Sequence, residues 1–123
     1  MTLEEKKQEY QQMLAIEYKK THMEETEGLT LDEIALMNPL SEYDFKAFLA
    51  FELLNLSMAI EEKQSDIEYN LQKINDSKTF YQDAAECRSE NVVYERELKN
   101  LRKIYDDLRK FIPERENQDE RGL

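Results

Sequence analysis

From Glu42 to Ile112 the chain contains neither glycine nor proline. No other feature restricts the fold as much. The tight turns of a sandwich or barrel draw heavily on those two residues, and the whole chain has only two of each. Charged residues make up 37% of the sequence, and Glu, Lys, Leu and Gln are frequent, a composition that suits long helices. The expected fold class is all-α.

Kept as one helix, Glu42–Ile112 would run ~105 Å at the α-helical rise. That is too long for so small a chain unless copies pair along it. Two apolar stripes help to locate a break. One runs Phe45, Leu49, Leu53, Leu56, Ile60, Ile67, Leu71 and Ile74; the other runs Phe80, Ala84, Cys87, Tyr94, Leu98, Leu101, Tyr105, Leu108 and Ile112, stepping by four and three around Asn91. Between them lies "NDSKT", Asn75–Thr79, whose side chains compete with helical backbone bonds; Ser77 or Thr79 can cap a new helix there. The reading is a long antiparallel hairpin of helices over about 42–75 and 79–112. A break at Ser65, which opens the capping box "SDIE", and an unbroken helix are the rivals. Ile104 and Phe111 widen the apolar face of the second arm, which suits a bundle helix with two neighbours.

Upstream, Thr2 and Glu5 form a capping box, and Gly28 is a natural stop after the acidic "MEETEG", giving an N-terminal helix over 3–26. Thr30 and Glu33 repeat the box for a short helix over 30–37, ended by Asn38-Pro39. Ser41, with Asp44 three residues on, caps the first long arm. Residues 1–112 read as a single helical, bundle-like domain. The tail "PERENQDERGL", 113–123, has no apolar periodicity and reads as disordered and acidic.

The formal net charge of −11 argues against a nucleic-acid binder, which needs a basic footprint, and against an anionic membrane surface. The excess is uneven. Residues 1–75 carry 16 acids and 7 bases, whereas 76–112 carry 8 of each. The most apolar passage, Phe45–Ile60, is too short to span a bilayer and is interrupted by Lys46, Glu52 and Asn55. The start "MTLEEKK" has no apolar run behind a basic segment, and Cys87 has no disulfide partner within the chain. Both suit a reducing, cytoplasmic setting.

Few groups here are suited to catalysis. His22 is the only histidine, no Glu-x-x-His is present, and no glycine-rich phosphate loop exists. Cys87 reads as a small thiol on an apolar stripe and His22 as a surface residue at a helix end, not as a nucleophile–base pair. The acid pairs Glu61-Glu62 and Asp106-Asp107 fit no calcium-loop spacing. "LTLDEIA" has the pattern of the first helix of a helix-turn-helix unit, but the helix after it is acidic and apolar where a recognition helix is basic. No enzyme activity, cofactor or metal is expected. Arg96, Lys99, Arg102, Lys103, Arg109 and Lys110 alternate with acids, in i,i+4 pairs such as Glu95–Lys99 and Asp106–Lys110, and read as a salt-bridged solvent face; the alternative is a face on which the acidic half of another copy docks.

Within Phe45–Ile60 the apolar residues point in every direction, so the helix must be covered on all sides. Phe48, Phe51, Leu54 and Met58 lie off the main stripe. Either the N-terminal helices cover them or a second molecule does, and the expectation is a homodimer, with a single-chain bundle as the alternative. The function expected is that of a non-enzymatic helical interaction protein: an adaptor, assembly factor or inhibitor acting on another protein by contact. The alternative is an acidic mimic that occupies the basic groove of a nucleic-acid-binding protein. Partner-facing acids would be Glu24, Glu25, Glu27, Glu61 and Glu62. Tyr43, Tyr69 and Tyr81, off the stripes, are further partner-facing candidates.

Overall fold

The structure, a computed structural model, describes residues 1–76 and 78–112. Among these described residues four helices follow in order: α1 (Leu3–Thr21), α2 (Leu31–Met37), α3 (Glu42–Asn75) and α4 (Tyr81–Arg109). The protein is all-α, and no strand occurs among the described residues. Ser77 and the acidic tail from Pro113 lie outside those residues. The backbone groups into two compact units, Met1–Ala50 and the residues from Phe51 onward, with the boundary inside α3.

In the first unit each helix starts at its expected cap. The Thr2 hydroxyl accepts from the Glu5 amide at 3.2 Å while the Glu5 carboxylate accepts from the Thr2 amide at 3.3 Å. Thr30 accepts from Glu33 N at 3.2 Å, and Ser41 accepts from Asp44 N at 3.0 Å. Each cap satisfies an amide that the first turn would otherwise leave unpaired.

α1 stops at Thr21, five residues before the expected end at 26. The Thr21 hydroxyl donates back to the Glu17 and Tyr18 carbonyls, and His22 leaves helical geometry at ψ 53°. Extending the helix would set Glu24 and Glu25 at its negative end, where acids are unfavourable. Instead, Thr26 donates both its amide (3.1 Å) and its hydroxyl (2.7 Å) to the His22 carbonyl, closing a separate turn in which Thr26 is fully buried. Gly28 ends that turn at φ +79°, a conformation that side chains rarely adopt. α2 packs against α1 and buries Ile34. Gln11 clamps the chain after α2: its amide donates to the Asn38 carbonyl at 3.1 Å, and its oxygen accepts from the Leu40 amide.

The second unit is a helical hairpin. Lys63 meets Glu97 and Asn70 meets Asn91, so partners on α4 fall as those on α3 rise, which is an antiparallel register. The break is at "NDSKT", as the side-chain chemistry there requires. The Asp76 carboxylate accepts from the Lys78 amide at 2.9 Å and its carbonyl accepts from Thr79 N at 3.1 Å. α4 begins at Tyr81 and not at 79, because this Asp76 turn carries the chain through Thr79; the cap residue is Phe80, with no side-chain bond. Its end is also earlier than 112. Phe111 and Ile112 donate to Leu108 and Arg109, three residues back, so the final turn is tighter than an α-helix.

Candidate interaction surface

Tyr10 organises the first unit. It is fully buried, its ring 5.4 Å from both Phe45 (tilted 56°) and Phe48 (stacked at 25°), with the Lys6 ammonium 4.7 Å above it. Such aromatic contacts add about 0.5–1.5 kcal/mol each beyond area burial. Phe48 is therefore covered by the chain's own α1, in answer to one part of the sequence question.

The remaining three are not covered. Phe51 is 65% exposed, Leu54 56% and Met58 59%, on the second unit's part of α3. At 100° per residue the three fall within about 60° of arc, roughly opposite the side of α3 that carries Lys63, Ile67, Asn70 and Ile74. That other side is the one turned to α4. Asn70 donates to the Asn91 side chain at 3.0 Å, and Asn91 donates to the Ile67 carbonyl at 3.4 Å; both asparagines are buried. Asn70, not Leu71, faces the partner helix, and Leu71 is 45% exposed, so the expected stripe is corrected by one position. The pattern Ile60, Lys63, Ile67, Asn70, Ile74 steps by three and four in phase with α4, but its two polar members hide it from a search for apolar residues.

Lys63 is held by Glu97 at 2.7 Å with its ammonium 4.5 Å over the Tyr94 ring; the bond to Glu97 raises its pKa above the ordinary lysine value. The Tyr94 hydroxyl donates to Glu90 at 3.2 Å, which raises the phenol as well. Lys63 is the only base on α3 between Phe51 and Gln72, a span that also carries Glu52, Glu61, Glu62, Asp66 and Glu68. Glu61, Glu62 and Glu68 are exposed. The outward side of this span is thus apolar at Phe51, Leu54 and Met58 and acidic beyond them. Glu24, Glu25 and Glu27 are exposed as well, but belong to the turn of the first unit. Tyr43, Tyr69 and Tyr81 are all exposed.

α4 presents a surface that spacing in the sequence had disguised. Arg88, Val92, Arg96, Lys99 and Lys103 are exposed and fall within about 80° of arc, with no acid inside it from Arg88 to Lys103; exposed Asp106 follows in line with Arg88. Among the described residues no ion pair joins Glu95 to Lys99, and Lys110 pairs with Asp107 at 3.4 Å instead of Asp106. Elsewhere, the first unit has a groove of about 670 Å³ lined by Ile16, Met23 and Leu31 together with Lys19, Lys20 and Glu27.

The described residues contain no cluster of three His, Cys, Asp or Glu able to hold a metal, and no described helix is long and apolar enough to cross a membrane. Cys87 is a free, buried thiol on α4, and His22 stacks on Tyr18 with ring centroids 4.1 Å apart. These features define an all-α protein with a helical hairpin whose outer faces differ in character. No protein-family model, curated protein or solved structure matches the chain.

Proposed function

We propose that this chain is a non-enzymatic helical interaction protein that acts by contact, as an adaptor, assembly factor or inhibitor, through the outward face of α3. One observation supports this above the others: Phe51, Leu54 and Met58 stand exposed together on the side turned away from α4. Full burial of such a side chain is worth about 1.5–3 kcal/mol, so covering three that are more than half exposed contributes about 3–5 kcal/mol to a complex. The acids Glu61, Glu62 and Glu68 beside them select a partner helix that is apolar on one stripe and basic at its flank.

The test is a photo-crosslinking amino acid placed at Leu54 in the native cell, with exposed Gln8 on α1 as the control position. A docking face gives a discrete crosslinked protein at Leu54, lost when Phe51→Asp is added while the helical circular dichroism signal is unchanged. A protein captured equally with and without Phe51→Asp refutes the reading. The acidic-mimic reading draws on the same cation-poor flank of α3. It requires binding that weakens steeply between ~0.1 and ~1 M salt, over which the screening length falls from about 10 to about 3 Å.

A further inference from the structure

The partner chemistry that suits the α3 face is present in the chain itself. We infer that a second copy docks the outward stripe of its α4 on the outward face of α3, so that the protein assembles head to tail. This rests on the reading of Phe51, Leu54 and Met58 as a docking face.

Charge carries the argument. The α3 face exposes Glu61, Glu62 and Glu68, and its span's only base, Lys63, is engaged by Glu97. The α4 stripe exposes Arg88, Arg96, Lys99 and Lys103, with no acid in its arc before Asp106, which closes its C-terminal end. Spacing agrees. Met58, Glu62, Ser65 and Tyr69 step by four, three and four, and so do Val92, Arg96, Lys99 and Lys103. Laid parallel with Met58 against Val92 of a second copy, this register sets Glu62 at Arg96 and Ser65 between two acids at Lys99; Tyr69, whose ring already carries the Lys73 ammonium 4.8 Å from its centroid, falls beside Lys103 at the end of the contact. It also sets Phe51 at the small Ala85 and Leu54 along the aliphatic stem of Arg88.

The two faces are different surfaces of one chain, and each lies well away from its own hairpin partner. A contact between them therefore satisfies one face on each copy and leaves the other free. Such a heterologous interface adds further copies and does not stop at a symmetric pair. Occupation of α3 by α4 of another copy also competes with any other basic, amphipathic helix.

The test is sedimentation velocity across a concentration series of the full chain, with two variants: Phe51→Asp/Leu54→Asp on α3, and Arg96→Glu/Lys99→Glu/Lys103→Glu on α4. The expected result is that the wild type grows past a dimer with concentration and that association weakens at least ~10-fold from ~0.1 to ~1 M salt. Each variant alone stays monomeric. Mixed in equal amounts they form a 1:1 complex and nothing larger, because each supplies the face that the other lacks. An unfolded variant cannot restore association, so the mixture also controls for folding. A wild type that stays monomeric throughout, or variants that fail to complement when mixed, overturns the inference. If the crosslink at Leu54 to another protein persists in that case, the contact function stands without self-association.

Discussion

The buried Asn70–Asn91 pair makes a quantitative prediction about the hairpin. Asn91→Ala removes the acceptor for the Asn70 amide, 3.0 Å away, and the donor to the Ile67 carbonyl, 3.4 Å away. Asn70 is 5% exposed, so water does not replace the lost partner. An unsatisfied buried donor costs about 1–3 kcal/mol. The Ile67 carbonyl loses little, because it keeps its own helical amide. The expected loss is therefore about 2 kcal/mol. With an m-value of about 2 kcal/mol/M, urea unfolding followed at 222 nm shifts its midpoint down by about 1 M. Asn70→Ala should cost a similar amount by the same route. The double variant should cost less than the two together, with a coupling of about 1–2 kcal/mol, because the second change removes a group already unpaired. Replacing both by Leu should recover most of the stability while loosening the register, as polar pairs at core positions fix alignment more than they stabilise. Strictly additive single costs would show that the two side chains do not act as a bonded pair.

Tyr10→Ala empties the fully buried ring site between Phe45 and Phe48 and should cost about 3–5 kcal/mol, seen as lost hydrogen-exchange protection in residues 1–50. Gly28→Ala has space for its methyl but must hold φ +79°, so it should destabilise the first unit by about 1 kcal/mol in thermal melts. Lys63 and Tyr94 both have folded pKa values raised above their ordinary ones. Their contribution is thus fully present below about pH 10 and is lost as pH rises through the raised values. Alkaline titration of stability should fall less steeply in Lys63→Met, and an unchanged slope would refute the role of the Glu97 contact.

The sequence made the helix starts legible because a cap is a local device. Thr2 with Glu5, Thr30 with Glu33 and Ser41 with Asp44 each need only the residues that compose them. The hairpin break was legible for the same reason, since Asp76 turns the chain with its own carboxylate. The end of α1 was not, because it lies where His22 leaves helical geometry and Thr26 closes a separate turn on the His22 carbonyl, which no cap motif in the sequence marks. Asn70 was missed because its partner Asn91 lies on the other arm, and neither is apolar. Phe48, Phe51, Leu54 and Met58 looked equivalent on a helical wheel; only the position of Tyr10 separates the first from the rest. The α4 stripe was misjudged because i,i+4 spacing permits an ion pair without forming one, as Glu95 and Lys99 illustrate.

The register of the hairpin also governs how it assembles from the unfolded chain. Sequence separation widens steadily from the Asp76 turn, through Asn70–Asn91 to Lys63–Glu97. Each layer therefore closes only a small additional loop once the one before it has formed, at little further entropic cost. Zippering of this kind is fast, in the microsecond-to-millisecond range of helical proteins rich in local contacts. It also unzips from the open end. Amides near Asn91 and Leu98 should exchange slowly, and those at Phe111 and Ile112, already in a loosened last turn, should exchange first.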